Sequence, residues 1–165
     1  MANIKLHGND IHSIGNLPEV GSTIKDFQLV NKDLETKSLA DFSGKKKVFN
    51  IFPSIDTPVC ANSTRKFNEE ATKLDNTVVI NVSRDLPFAL GRFCGAEGIN
   101  NAETLSDFRG SFGEDYGLTI SDSPLQHLLS RAVIITDENG KVLYTEQVPE
   151  ITQEPNYEAA LNALK

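Results

Sequence analysis

Cys60 carries the clearest chemical potential in this chain. Its neighbourhood, Pro53-Ser54-Ile55-Asp56-Thr57-Pro58-Val59-Cys60, lies between the apolar run Val48-Phe49-Asn50-Ile51-Phe52 and a helix-like stretch. A thiol placed where a strand gives way to a helix meets the unpaired backbone N–H groups of the first helical turn, which stabilise a negative sulfur. Pro53 and Pro58 restrict the loop, and the Thr57 hydroxyl can point back into the same turn. Arg131, at the head of the apolar run Ala132-Val133-Ile134-Ile135-Thr136, could set a permanent positive charge beside the sulfur. A thiolate that attacks an O–O bond must be ionised, approachable and surrounded by donors for the departing oxygen, and these residues supply a candidate for each need.

The only other cysteine is Cys94. In a reducing compartment a static disulfide is not expected, whereas a transient catalytic or sensing one is common. Three scattered histidines and no Cys-x-x-Cys argue against a structural zinc site and against a general disulfide oxidoreductase. A net charge of -7 argues against a nucleic-acid groove, which needs clustered Lys and Arg. The one basic run, Lys45-Lys46-Lys47, reads as a solvated strand entry. The amino end lacks the continuous apolar core of a secretory signal and no stretch reaches transmembrane length, so the expectation is a cytoplasmic protein without membrane contact.

The elements that position these thiols follow from the spacing of apolar residues. With 165 residues, 39% hydrophobic and 24% charged, the chain suits one globular domain over 1–165 rather than disorder. Gly8 and Gly15 punctuate a hairpin between Leu6 and Leu17, Phe27 to Val30 reads as a short strand, and Leu39 to Gly44 as a connector. Lys47 to Phe52 is a buried strand. After it, Phe67, Ala71 and Leu74 recur at helical spacing, with Arg65, Lys66, Glu69, Glu70 and Lys73 on the opposite face. Cys60 shares the apolar face, so its thiol should point toward the core. Thr77 to Val82 is a second buried strand that closes a right-handed β–α–β unit. Pro87 to Phe93 reads as a helix ending in Cys94-Gly95-Ala96-Glu97-Gly98. Asn139-Gly140 tips the clearest hairpin, and Tyr157 to Lys165 reads as a closing helix. The order predicts an α/β protein with a central mixed sheet and helices on both faces.

Pro53-x-x-x-Thr57-x-x-Cys60 resembles the active-site motif of the peroxiredoxins, and Asn50 to Cys60 as a whole looks like their thiol peroxidase subgroup. Asp85-Leu86-Pro87-Phe88-Ala89-Leu90-Gly91-Arg92-Phe93-Cys94-Gly95-Ala96-Glu97-Gly98 matches that subgroup's second-cysteine region, and Leu105 to Arg109, Arg131-Ala132-Val133 and Val148-Pro149-Glu150-Ile151 extend the likeness across nearly the whole chain. The resemblance implies a thioredoxin-like fold with an N-terminal β-hairpin. It implies that Cys60 is the peroxidatic cysteine and Cys94 the resolving one, with Thr57 and Arg131 beside the thiol and Pro53 in the substrate loop. It further implies reduction of hydrogen peroxide and organic hydroperoxides in antioxidant defence, an intramolecular disulfide recycled by thioredoxin, no metal or organic cofactor, and a homodimer.

On that reading the reduced fold should keep the two sulfurs beyond bonding reach, and the glycines at 91, 95 and 98 should let the Cys94 segment unravel at low cost. Arg92 and Arg109 fit solvated faces as well as a site. An apolar collar for an organic peroxide would have to draw on Phe49, Phe52, Phe88 or Phe93. Two other classes use the same residues: a redox sensor whose partner reads the disulfide, and an interaction module whose thiols are merely buried.

Overall fold

The computed structural model of the protein describes residues 2–71, 73–99 and 102–165. In chain order the elements are β1 (Asn3–Leu6), β2 (Asn9–His12), β3 (Gln28–Val30), β4 (Thr36–Ser38), β5 (Lys46–Ile51), α1 (Pro58–Ala71), β6 (Thr77–Ser83), α2 (Pro87–Glu97), β7 (Ala102–Ser106), α3 (Phe112–Asp115), β8 (Ala132–Thr136), β9 (Val142–Gln147) and α4 (Tyr157–Asn162). A 3-10 helix covers Leu39–Phe42, where a connector was expected.

Seven strands form one mixed sheet in the order β4-β3-β7-β6-β5-β8-β9. β5, β6 and β7 run parallel, while β8 pairs antiparallel with β5, and β3 with β7. The alternation of side chains along β5 separates two cores. Val48, with Val79, Val133 and Ile135, packs under Phe67 and Ala71 of α1 and Ala160 and Leu164 at the carboxyl end. Phe49 and Ile51, with Ile80, Val82 and Ile134, pack on Phe27, Phe42, Phe112 and Tyr116. Helices therefore cover both faces, as the apolar patterning predicts.

Phe67 anchors α1 to the sheet. It is fully buried and meets the Tyr157 ring edge-on at 5.0 Å between centroids, which joins α1 to α4. Phe67→Ala should cost about 3–5 kcal/mol of stability through lost transfer energy and a cavity. Urea unfolding checks this, and a loss below about 1 kcal/mol would show that α1 is not held by this residue.

The N-terminal hairpin is present but displaced from its predicted bounds. Its strands are β1 and β2, and the turn is His7-Gly8, with φ of 51° and 83°. Both central residues are left-handed, the geometry that matches strand twist in a two-residue turn. The second helix also extends beyond Phe93: α2 runs through Cys94 to Glu97 and stops where Gly98 turns left-handed at φ 68°. No helix among the described residues is long and apolar enough to cross a membrane.

Candidate active site

Cys60 is the third residue of α1, in its first turn. Thr57 caps the helix through its carbonyl, which accepts the Ala61 N–H at 3.0 Å, and Pro58 follows where its missing N–H costs nothing. The Cys60 carbonyl accepts from the hydroxyls of both Ser63 (2.9 Å) and Thr64 (3.0 Å). Ser63 in turn receives a hydrogen bond from Asn50 of β5, which ties this turn to the sheet. Sequence reasoning missed these partners, since a serine and a threonine inside a helix give no pattern of their own.

The sulfur has no exposed surface and packs with Phe52, Ile55 and Leu90. Arg131 reaches it from the strand side: its Nη2 donates to Cys60 Sγ at 3.1 Å, and its Nε donates to the Ile151 carbonyl at 2.7 Å. Arg131 is itself only 2% exposed, deeper than the strand-entry position suggests. A guanidinium keeps its charge when buried, so the sulfur faces a permanent cation that is also a fixed hydrogen-bond donor. The remaining nitrogen, Nη1, is buried and has no acceptor among the described residues.

The hairpin helps to aim that arginine. Lys5 N–H donates to the Pro149 carbonyl at 2.7 Å, Ile151 N–H donates back to Lys5 at 2.9 Å, and Gly8 N–H donates to the Glu150 carboxylate at 2.8 Å. The segment so held presents the carbonyl that orients Arg131.

Arg131, Pro53 and Thr57 line one cavity of about 440 Å³, whose other walls are mainly Leu6, Pro58, Val59, Leu125, Leu128 and Ile151. This collar differs from the expected phenylalanines. Phe49 and Phe52 are buried in the core, and Phe88 is exposed away from these walls. Phe93 lies under Arg65, 5.5 Å from guanidinium to ring. The apolar walls come instead from four separate segments, of which Pro58-Val59 and Ile151 fall in motifs and Leu6 and Leu125 with Leu128 do not. Thr57 also differs in aim: its hydroxyl donates to the Ser54 carbonyl at 2.8 Å rather than into the turn of Cys60. Arg109 lines a different depression, with Asp26, Gln28 and Asp115.

Cys94 sits apart from this set. It occupies the last turn of α2, where its thiol donates to the Thr104 hydroxyl at 3.6 Å and faces a depression lined by Lys32, Lys37 and Glu103. Burial pushes this thiol's pKa up, and the Thr104 hydrogen bond offsets part of the rise. The two cysteines are unbonded. Arg65 pairs with Glu97 at 2.8 Å and Arg92 with Asp56 at 3.0 Å, so exposed ion pairs run from α2 to α1 and to the Cys60 loop. The guanidinium of Arg65 holds the Glu97 carboxyl below its ordinary range. Arg92 thus stands on a solvated face, paired there with Asp56.

Comparison with known proteins identifies the family and the fold. The family model described as Redoxin matches residues 19–161. The thiol peroxidase of Corynebacterium glutamicum is 56% identical over 164 residues, covering 99% of both chains. Among solved structures, a peroxiredoxin-like protein from Aquifex aeolicus superposes with a TM-score of 0.91 at 41% identity, covering 97% of this chain and 94% of its own. The thiol peroxidase from Chromobacterium violaceum superposes with a TM-score of 0.89 at 25% identity, covering 98% and 94%. The fold is thioredoxin-like, with the mixed sheet and N-terminal hairpin the residues implied. This chain belongs to the Redoxin family and, within it, to the thiol peroxidases, enzymes of the peroxiredoxin class.

Proposed function

We propose that Cys60 is the sulfur that attacks the peroxide and that Cys94 resolves it, within one domain spanning residues 1–165. The observation that carries this reading is the contact of Cys60 Sγ with Arg131 Nη2 at 3.1 Å, beside an Nη1 left without an acceptor. A hydroperoxide entering past Pro53 and Thr57 would meet that free donor. The thiolate attacks the terminal oxygen, an S–O bond forms, the O–O bond breaks, and the leaving alkoxide takes a proton and departs as alcohol, or as water from hydrogen peroxide. Arg131 stabilises the negative charge that develops on the departing oxygen.

The Cys60 sulfenic acid is then attacked by the Cys94 thiolate. An S–S bond forms and hydroxide leaves, protonated to water. A dithiol supplies two electrons and two protons to restore both thiols, and thioredoxin is the reductant of this reading. The apolar cavity walls support a preference for organic hydroperoxides over hydrogen peroxide. The cytoplasm is the compartment that fits a cycle driven by reduced thiols. A homodimer is supported by Leu86 and Phe88, large apolar side chains left exposed at the start of α2.

The test is hydroperoxide consumption coupled to thioredoxin and its reductase, with hydrogen peroxide and cumene hydroperoxide compared. Turnover in both, faster with the organic substrate, supports the reading. Turnover only with a different thiol donor removes thioredoxin from it.

The second step should depend on pH. A thiol whose pKa is raised in the closed helix favours the helix below its ordinary range and stops favouring it as pH climbs through its raised value. Alkaline conditions therefore promote opening of α2 and release Cys94 as thiolate. Disulfide formation after a single oxidation should accelerate several-fold between about pH 7 and about pH 9, around the ordinary thiol pKa. Quenched-flow trapping of the disulfide checks this, and a rate that falls over that interval would contradict it.

A further inference from the structure

We propose that Asp85 is the positioning residue for the Cys60 loop, holding it in the shape that reacts with peroxide. This rests on the role of Cys60 proposed above. Asp85 lies in the short connection after β6, one residue before Leu86, which caps α2. Its carboxylate accepts three close hydrogen bonds: from Ser54 Oγ at 2.7 Å, from Ile55 N at 2.7 Å and from Ser83 Oγ at 2.6 Å. Ser83 is the sheet anchor, at the end of β6. Ser54 and Ile55 belong to the loop between β5 and α1, and this carboxylate hydrogen-bonds both of them to the segment that leads into α2.

The chemistry of the acceptor matters. An ionised carboxylate offers only lone pairs, so it can satisfy three donors at once, whereas an amide turns one of its two heads into a donor. Asparagine at 85 would keep the size of the side chain while either setting an N–H against the Ile55 N–H or reversing the Ser54 bond, which leaves the Ser54 hydroxyl without its carboxylate acceptor.

The restraint passes on from Ser54. Its hydroxyl also accepts the Asp56 N–H at 3.2 Å, and its carbonyl accepts both the Thr57 hydroxyl at 2.8 Å and the Thr57 N–H at 3.2 Å. Thr57 is the cap of the helix that carries Cys60 and a wall of the cavity in front of Arg131. Asp85 therefore fixes, through Ser54, the rotamer of Thr57 and the entry angle of α1. Ile55 also packs with Leu90 of α2, a contact that holds the two together without directing Ser54 or Thr57, and the Arg92–Asp56 ion pair, with side chains 69% and 63% exposed, restrains little.

Cys60 and Cys94 are unbonded in this fold, so joining them requires the loop and α2 to shift relative to one another, and the Asp85 bonds resist that shift. Weakening them should slow the step that needs the ordered loop without slowing the step that needs its release. The two steps then respond with a changed ratio, which a loss of general stability would not produce.

The experiment is a single-turnover reaction with one equivalent of cumene hydroperoxide, quenched with an alkylating agent and read by peptide mass. It gives the rate of Cys60 oxidation and the rate of disulfide formation separately, for wild type, Asp85→Asn and Ser54→Ala. Asp85→Asn should oxidise about ten- to a hundredfold more slowly, as expected for loss of precise placement, with disulfide formation as fast as in wild type or faster. Ser54→Ala should move the same ratio in the same direction by a smaller factor, and the double variant should be less than additive because both remove one bond. If Asp85→Asn does not fold, the ratio in Ser54→Ala decides. A ratio unchanged from wild type, or shifted the other way, overturns the proposal. If wild type itself is not oxidised at Cys60, the failure lies with the proposed function instead.

Discussion

Cys60→Ser should abolish hydroperoxide consumption, with the rate falling by at least about 10⁴-fold, because an alcohol at this position has neither the ionisation nor the nucleophilicity of a thiolate. The loss should be chemical rather than structural. Serine has the shape of cysteine with a smaller terminal atom, and Arg131 Nη2, now 3.1 Å from the sulfur, remains available to a serine hydroxyl buried among Phe52, Ile55 and Leu90. Circular dichroism and urea unfolding should therefore show a folded protein within about 1–2 kcal/mol of wild type, since the buried hydroxyl keeps a donor. Cys94→Ser separates the steps: one equivalent of peroxide should still be reduced, and turnover should stop there. Residual steady-state activity in Cys60→Ser above a few per cent of wild type, with Cys94 intact, would move the primary chemistry to another residue.

Arg131→Met should have the second largest effect, slowing the reaction of Cys60 with hydroperoxide by about 10²–10³-fold, the scale of removing a preorganised charged donor from a developing oxyanion. Methionine approximates the length of the side chain and stays apolar in a buried site. The change removes the donor to Cys60 Sγ, the donor to the Ile151 carbonyl and the unpaired Nη1 together. The Ile151 carbonyl loses its partner, so a stability loss of about 1–3 kcal/mol should accompany the kinetic effect. Arg131→Lys keeps the charge and tests geometry: one ammonium cannot serve the sulfur, the carbonyl and a substrate oxygen in the fixed fork of a guanidinium. Its rate should lie between methionine and arginine. Rapid mixing with cumene hydroperoxide measures all three, and equal rates would remove Arg131 from the chemistry.

Much of the architecture was legible because local signals were strong. The apolar face through Cys60, Phe67 and Ala71 set the inward aim of the thiol, and Asn139-Gly140 set the β8–β9 hairpin, whose Gly140 has φ 81°. What escaped had weak local signals and strong tertiary ones. β7, Ala-Glu-Thr-Leu-Ser, carries only Leu105 as a fully buried apolar residue, and it is a strand because β6 pairs along its length. The extension of α2 through Cys94 to Glu97 depends on the left-handed Gly98 and on Arg65, a residue of another helix.

The site divides in the same way. Pro53, Thr57 and Cys60 fall within eight consecutive residues, so their proximity was readable. Arg131 was placed by its position before a strand, but its burial depends on the Ile151 carbonyl and on the hairpin that holds that segment. Leu6, Leu125, Leu128 and Ile151 converge only in three dimensions, and no spacing rule joins them. Asp85 was visible as part of a motif, yet its bonds to Ser54 and Ile55 arise because parallel β5 and β6 end side by side and bring their following loops together.

The most direct measurement is intact and peptide mass of the reduced protein after one equivalent of cumene hydroperoxide. The account predicts loss of two hydrogens, no added oxygen, and a Cys60–Cys94 linkage within a single chain; an unchanged mass, or oxygen carried on any residue other than Cys60, would contradict it.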